Sequence, residues 1–428
     1  MSSHQQNQKI GFWPLTSLVT GNLVGSGVFL LPTTLAHFGS ISLVAWGVTV
    51  LGAVMLALIF AELSHKLPQN GGPFAFVAKA FGPQAGFFTA WGYWILSWIS
   101  NAALVASAAG YFVAMYGHLD KAVILAIEIG ILSVITGFNL FGLRTTGRAE
   151  LIITTTKVIP LILIPLACLY AIDFANFPAY NITEMPNSSA LNAAAFITLW
   201  GFLGLETATV TGGQVINARK IVPLATITGT IIAATIYILG TVVIFGVLPF
   251  DTLMSSKAPY ADAAGAVFGG SWAVAISIAA IITCVGSLNG WTIIVGKIAQ
   301  AAASEGLFPP AFGRTNSQGA PYWAILSSSI LTIPFIIMSL EDNLVEQFNL
   351  IIDISVTFIL FVYLACVLAF FKLVLRDKEH RIYKAVIGFC ALMFVVWAFM
   401  ATKPIMIGYA AGIALLGAPI FFLRNLKR

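Results

Sequence analysis

The strongest constraint on this chain is the length of its apolar runs and how rarely a charge interrupts them. Only 9% of the 428 residues are Asp, Glu, Lys or Arg, whereas 59% are apolar. Soluble domains carry about 25% charged residues, so these few charges cannot cover the surfaces of globular domains. Because a helix needs about 20 apolar residues to cross a bilayer, the length leaves room for roughly a dozen spans. The composition therefore predicts an all-α membrane protein.

Charged residues and Pro or Gly divide the chain into twelve predicted transmembrane helices. No linker, low-complexity tract or soluble domain separates them, so residues 1–428 are predicted to form one membrane domain. The spans lie near residues 10–37, 41–65, 84–115, 121–142, 150–172, 190–214, 224–249, 271–303, 321–339, 345–374, 383–401 and 404–424.

The basic residues predict which side of the bilayer each loop faces. Alternate loops contain Lys66 and Lys79, Arg219 and Lys220, and the basic segment 372–384. The opposite loops are mainly acidic and include the acidic residues at 341 and 342. Lys and Arg near span ends resist translocation, so the basic loops are expected in the cytoplasm. With an even number of spans, both termini then face the cytoplasm.

Glycines interrupt the first and sixth predicted spans at corresponding positions. The first contains Gly-Asn-Leu-Val-Gly-Ser-Gly at 21–27, and the sixth contains Trp-Gly-Phe-Leu-Gly-Leu-Glu at 200–206. Interrupted spans in two halves of opposite topology are typical of transporters built from inverted repeats. The sequence thus predicts a five-plus-five inverted repeat, with discontinuous helices 1 and 6 and two additional C-terminal helices. The first repeat covers about 10–172, the second about 190–374, and the last two helices about 383–424.

The two breaks predict a site with two opposite polarities. A break inside the membrane exposes backbone polar groups, which only a cavity, water or a ligand can satisfy. The half-helix that begins near Gly27 presents free N–H groups, which suit a carboxylate. The half-helix that ends near Trp200 to Leu203 presents carbonyls, which suit an ammonium group. Together these preferences describe an α-amino acid. The alternative for each glycine pattern is close helix packing.

Several aromatic and charged side chains lie inside spans, where they are uncommon. Tyr93, Trp200 and Trp291, with Asn101, either pack in the core or wall a pocket that stacks on a planar or cationic group. Intramembrane charges cost about 2.5–3.5 kcal/mol each and are candidates for function. One is Glu206, which follows the second break. Lys157 either couples protons or snorkels, Lys297 is expected to snorkel, and Asp353 either pairs with a buried lysine or borders the pocket.

Other classes of function find no support in the sequence. The basic residues form no continuous patch for a nucleic acid. The histidines lie at span ends or in loops without the spacing of metal ligands, and no Ser/His or paired-carboxylate arrangement occurs within the spans. Two occluding breaks and bulky central aromatics favour a gated site over the open path of a channel. We expect no enzyme activity, cofactor or metal.

The chain resembles the amino acid-polyamine-organocation transporters, and among them the bacterial antiporters of basic amino acids and polyamines. The resemblance covers essentially the whole chain. The matching motifs are GNLVGSGVFLLP at 21–32, GG at 71–72 with FGP at 81–83, LWGFLGLE at 199–206, NARKIVP at 217–223, GSLNGW at 286–291 and EGLFP at 305–309.

This resemblance implies a twelve-helix fold, a homodimer in a bacterial inner membrane and a central amino-acid site. Ser26 and Gly27 would bind the carboxylate, while the carbonyls of Leu23, Trp200 and Leu203 would accept from the ammonium group. The side chain of the substrate would stack on Trp291. The remaining implied residues are polar contacts at Ser97, Asn101 and Ser355, and gating or coupling residues at Tyr93, Glu206 and Tyr363.

The sequence leaves two transport mechanisms open. The first is exchange of a basic amino acid for its amine product or for another amino acid, by alternating access. The alternative is proton-coupled symport of neutral amino acids through Lys157, which resembles the lysine of proton-coupled relatives in the fifth span. Asp353 departs from the antiporter pattern, in which a small polar residue is expected.

Overall fold

A computed structural model of the chain describes residues 10–117, 119–141, 143–338, 344–375 and 380–425. Within these residues the backbone is helical, with isolated bridges but no strand. Four charged residues used to predict the orientation, at 341, 342, 376 and 378, lie outside them. The α-helices are α1 Phe12–Leu23, α2 Ser26–Ala36, α3 Ile41–Lys66, α4 Pro73–Phe81, α5 Pro83–Tyr116, α6 Lys121–Asn139, α7 Leu143–Cys168, α8 Asn187–Leu199, α9 Thr207–Val210, α10 Ala218–Val247, α11 Phe250–Ser255, α12 Pro259–Phe268, α13 Gly270–Ser304, α14 Tyr322–Met338, α15 Leu344–Leu373, α16 Arg381–Phe399 and α17 Pro404–Asn425.

The described residues include 10 helical segments that are long and apolar enough to cross a bilayer, and α1 and α2 together form the first. Two other predicted spans are present as shorter elements. The helix α14 has 17 residues, and the sixth predicted span consists of α8, a 3₁₀ turn at Trp200–Phe202 and the short α9. The prediction of an all-helical membrane protein is confirmed.

The same order of elements occurs twice along the chain. A broken helix (α1/α2 or α8/α9) is followed by a long helix (α3 or α10), by a short helix that starts with proline (α4 or α12), and by one of the two longest helices (α5 or α13). A glycine with positive φ, Gly82 or Gly269, separates the last two elements each time. Only glycine adopts this conformation without strain, so it allows a sharp change of direction between consecutive helices.

The core lies where the longest helices meet. The helices α5 and α13 pack against each other, and α10 packs against both α3 and α1. Small residues allow the backbones to approach closely, as is typical of helices in lipid. A Cβ atom added to Gly229 of α10 would lie 2.7 Å from Val19 of α1, and one added to Gly240 would lie 1.7 Å from the Tyr260 hydroxyl of α12. The first of these close approaches packs the broken first helix against α10, and the second packs α12 against α10.

We expect Gly240→Ala to lower the free energy of unfolding by about 1–3 kcal/mol, because the new methyl group overpacks a buried interface. Gly47→Ala is the matched control, since a Cβ atom at this lipid-facing position would have no neighbour within 4 Å. Thermal unfolding in detergent measures both variants. Equal melting temperatures for the two would contradict the packing of α10 against α12.

Candidate functional site

The first break separates α1 from α2 by two residues, Val24 and Gly25. Side chains from other helices satisfy the carbonyls that it exposes. The Ser287 hydroxyl of α13 lies 2.8 Å from the carbonyl oxygens of both Gly21 and Val24, and can donate its single proton to either. The Lys157 ammonium of α7 donates to the Gly21 carbonyl at 2.7 Å and to the Ser287 hydroxyl at 2.8 Å. The break is therefore held open by two neighbouring helices.

The second break begins where α8 ends at Leu199. A 3₁₀ turn follows, in which the N–H of Leu203 donates to the Trp200 carbonyl at 3.2 Å. Gly204 follows this turn, and its φ of +110° is accessible chiefly to glycine. The helix resumes only at Thr207, as the short α9.

The two breaks face each other across one small cavity. Gly27 allows this approach, because a Cβ atom there would lie 2.9 Å from both the Trp200 ring and the Tyr237 hydroxyl. The cavity measures about 20 Å³, which holds a water but not an amino acid. Its lining residues are Asn22, Leu23, Gly25, Ser26, Gly27, Ser100, Leu104, Trp200, Leu203, Tyr237 and Trp291.

Polar groups in the wall of the cavity suit a zwitterion. The Ser26 hydroxyl and both polar atoms of the Asn22 amide are buried without a hydrogen-bond partner in the described part of the chain. Ser26 also begins α2, whose first-turn N–H groups have no partner inside the helix and favour an anion. Opposite them, the last carbonyls of α8 and its 3₁₀ turn form the negative end of a helix. The arrangement offers donors to a carboxylate and acceptors to an ammonium group.

Six of the nine predicted binding residues line this cavity, and three do not. The hydroxyl of Ser97 donates to the Tyr93 carbonyl in its own helix at 2.6 Å, while the Ser355 hydroxyl accepts from Ser100 at 3.1 Å. Neither they nor Asn101 border the cavity, where Ser100 and Leu104 of α5 lie instead. Successive residues of a helix differ by 100° in direction, so the rotation of α5 decides which of them face the cavity. That rotation depends on packing that the sequence does not reveal.

Three predicted gating residues meet in a separate buried cluster. Glu206 is fully buried, and its two carboxylate oxygens accept hydrogen bonds from Tyr93 at 2.6 Å and from Tyr363 at 2.7 Å. The cluster therefore ties the second break to α5 and α15. Both oxygens have a strong donor, as a buried carboxylate requires.

Two other predicted charges lie in different places. Lys157 is 1% exposed and points to the first break, so it does not snorkel. Asp353 lies away from the central cavity and pairs with Lys403 at 2.6 Å. Its partner is thus an exposed lysine of a loop rather than the buried lysine considered from the sequence, because the first turns of α15 lie near the start of α17.

Sequence reasoning missed three residues at the breaks. Asn22 and Ser287 lie within the motifs that carry the family resemblance, so polarity inside a span could have identified them. Tyr237 donates from its hydroxyl to the Leu23 carbonyl at 2.9 Å. Its intramembrane position is the same signal that identified Tyr93.

Comparisons with known proteins identify the family to which this chain is similar. The family model described as amino acid permease matches residues 10–420. A Bacillus subtilis protein named as an arginine/ornithine antiporter is 30% identical, and the match covers 96% of this chain and 95% of that protein. The cadaverine/lysine antiporter of Escherichia coli is 33% identical over 78% of this chain and 76% of its own length. The Escherichia coli putrescine transporter PotE is 32% identical over 83% and 81%, respectively.

We expect Gly27→Ala to weaken amino-acid binding about tenfold or more, because the methyl group fills the gap between Ser26 and the Trp200 ring. Gly130→Ala is the control, since a Cβ atom there would meet no atom within 4 Å. Titration of purified protein, followed by tryptophan fluorescence, measures the dissociation constants. Normal affinity in Gly27→Ala would mean that the substrate binds elsewhere.

Proposed function

This chain belongs to the amino acid permease family, and from that premise we propose that it is a secondary transporter that exchanges α-amino acids across a bacterial inner membrane. The substrates are a basic amino acid and either its amine product or another amino acid. Exchange proceeds by alternating access to the central cavity. Both termini face the cytoplasm, and the protein works as a homodimer with a five-plus-five inverted repeat in each subunit.

One observation carries this proposal: the two broken helices present opposite polarities to a single cavity. Ser26 and the N-terminus of α2 supply unpartnered donors on one side. The carbonyl end of α8 and its 3₁₀ turn supplies acceptors on the other. The α-carboxylate and α-ammonium groups of an amino acid match these two sides, whatever its side chain.

Two features favour a basic side chain. The relatives described above are named as antiporters or transporters of arginine and ornithine, cadaverine and lysine, and putrescine. In addition, the Trp291 ring lines the cavity, and its Nε1–H donates to the Asn22 carbonyl at 3.2 Å. This bond fixes the position of the indole at the cavity, and an aromatic ring attracts a guanidinium or ammonium group.

The small size of the cavity supports a gated mechanism. Toward the predicted outer side, the ring of Trp200 contacts Phe348 of α15, with their centroids 6.0 Å apart. The other closure is the cluster of Glu206 with Tyr93 and Tyr363. We propose that these two contacts separate alternately, so that the cavity widens toward one side at a time.

Counterflow in proteoliposomes tests the proposed exchange. Vesicles loaded with unlabelled ornithine should take up external labelled arginine or ornithine at least about tenfold faster than empty vesicles, because exchange requires a substrate on both sides. Protein-free vesicles control for leak, and labelled leucine tests the preference for basic side chains. Equal uptake into loaded and empty vesicles would contradict obligatory exchange.

A second candidate function is proton-coupled symport of neutral amino acids. The position of Lys157 favours it, because its ammonium donates directly to the Gly21 carbonyl at the first break. Loss of a proton from this lysine would weaken its hold on the break. Protonation and the shape of the substrate site would then be coupled.

Under this second mechanism, an inward proton gradient should drive leucine uptake into empty vesicles, and Lys157→Gln should abolish the response to the gradient. Lys297→Gln is the matched control, since that ammonium donates to Gln300 of its own helix at 2.9 Å. Initial rates with and without the gradient measure the effect. A wild-type protein that ignores the gradient, or a Lys157→Gln protein that keeps the full response, rules out coupling through Lys157.

A further inference from the structure

A second cavity, much larger than the central one, lies at the predicted outer ends of the helices. It measures about 550 Å³. Its walls come from the end of α2 and His37, the segment that ends α11, the first turns of α15, and Lys403 just before α17. All of these segments belong to predicted outer loops or to the helix turns beside them. The cavity is therefore large enough for an amino acid and opens on the outer face.

The walls of the outer cavity adjoin those of the central one on two helices. Ile197 lines the outer cavity and lies one turn before Trp200 on the same broken helix. Asn349 also lines it and directly follows Phe348. Trp200 lines the central cavity and its ring contacts that of Phe348, so this aromatic pair connects the walls of the two cavities. A molecule in the outer cavity would therefore lie next to the ring contact that borders the central cavity.

The ion pair in the outer cavity is strongly asymmetric. The Asp353 side chain is only 15% exposed and belongs to the long helix α15, whereas the Lys403 side chain is 65% exposed and lies in a loop. Their charged atoms are 2.6 Å apart. Separating an exposed lysine from such a pair costs that lysine little free energy, because water solvates the ammonium well. The carboxylate of Asp353 would then face the cavity without its partner.

The group that Asp353 binds is chemically the same as one end of a basic substrate. Lys403 presents a primary alkylammonium, as do the side chains of lysine and ornithine. We propose that the outer cavity is an entry subsite for basic amino acids, in which Asp353 binds the side-chain cation and Lys403 is a built-in competitor that the substrate displaces. This inference rests on the proposed function and deepens it, by naming a second binding step before the central site.

The remaining charges around the cavity suit the other end of the same substrate. Lys257 is exposed and lines the cavity, so it can pair with the α-carboxylate. Asp262, which lies nearby, accepts a hydrogen bond from the Ser256 hydroxyl at 2.5 Å. Partial burial lowers the pKa of His37 below its usual value, so this imidazole adds no charge at neutral pH. The described lining thus offers one carboxylate to the side chain and one ammonium to the α-carboxylate.

Substrate affinity at the outer face tests this subsite, with Asp353→Asn, Lys403→Gln, Lys257→Gln and the double variant Asp353→Asn/Lys403→Gln. Right-side-out and inverted membrane vesicles, loaded with ornithine, give the external and internal KM for labelled ornithine. Asp353→Asn should raise the external KM about tenfold through loss of a charge-assisted contact, and Lys403→Gln should lower it severalfold through loss of the competitor. The double variant should resemble Asp353→Asn. Lys257→Gln should raise the external KM, while the internal KM stays unchanged in every variant.

Lys220→Gln is the matched control, because it removes the same charge from an exposed position on the predicted cytoplasmic side. It should leave the external KM unchanged. Asp353→Asn and Lys403→Gln would shift the KM in the same direction if the pair only stabilised the fold. A shift in the same direction would overturn the proposed subsite. So would an unchanged external KM in both variants, or equal shifts of the external and the internal KM. A wild-type protein that does not exchange ornithine at all would instead refute the proposed function.

Discussion

The organisation of this protein depends on one constraint: a backbone N–H or C=O group inside a bilayer needs a partner. Two helices break in the middle of the membrane, and their exposed groups find partners on other helices. Ser287 and Lys157 bind the carbonyls of the first break, while Tyr237 donates to the Leu23 carbonyl. Within the described residues, the Ser26 hydroxyl and the Asn22 amide lack a hydrogen-bond partner and border the cavity. The chain belongs to the amino acid permease family, and we propose that this cavity binds the zwitterion.

The same contacts connect the two breaks to the surrounding helices. Lys157 and Ser287 join the first break to α7 and α13, and the Glu206 cluster joins the second break to α5 and α15. If either break shifts, its hydrogen bonds to these neighbouring helices must therefore change. The central cavity holds about 20 Å³, whereas the outer cavity holds about 550 Å³, so the centre of this structure is too small for an amino acid.

The sequence predicted the elements well and their mutual orientation less well. Uncharged runs of about 20 residues identify spans because lipid allows few alternatives to a helix. Clustered glycines identified both breaks, since Gly204 needs a positive φ and Gly27 needs the absence of a Cβ atom. Ser97 and Asn101 were expected beside the substrate, but Ser100 and Leu104 line the cavity. The choice between them depends on the rotation of α5 against its neighbours.

The sequence by itself determined that the chain is a many-span helical membrane protein with breaks in its first and sixth spans, because apolar length and glycine clusters act locally. Only the tertiary structure decided which partners the intramembrane charges find. Lys157 binds the first break and Asp353 binds Lys403, although these partners are far apart along the chain. The physical reason is that a buried charge takes whichever donor or acceptor the packing of the helices brings within about 3 Å, and that proximity is a property of the assembled bundle.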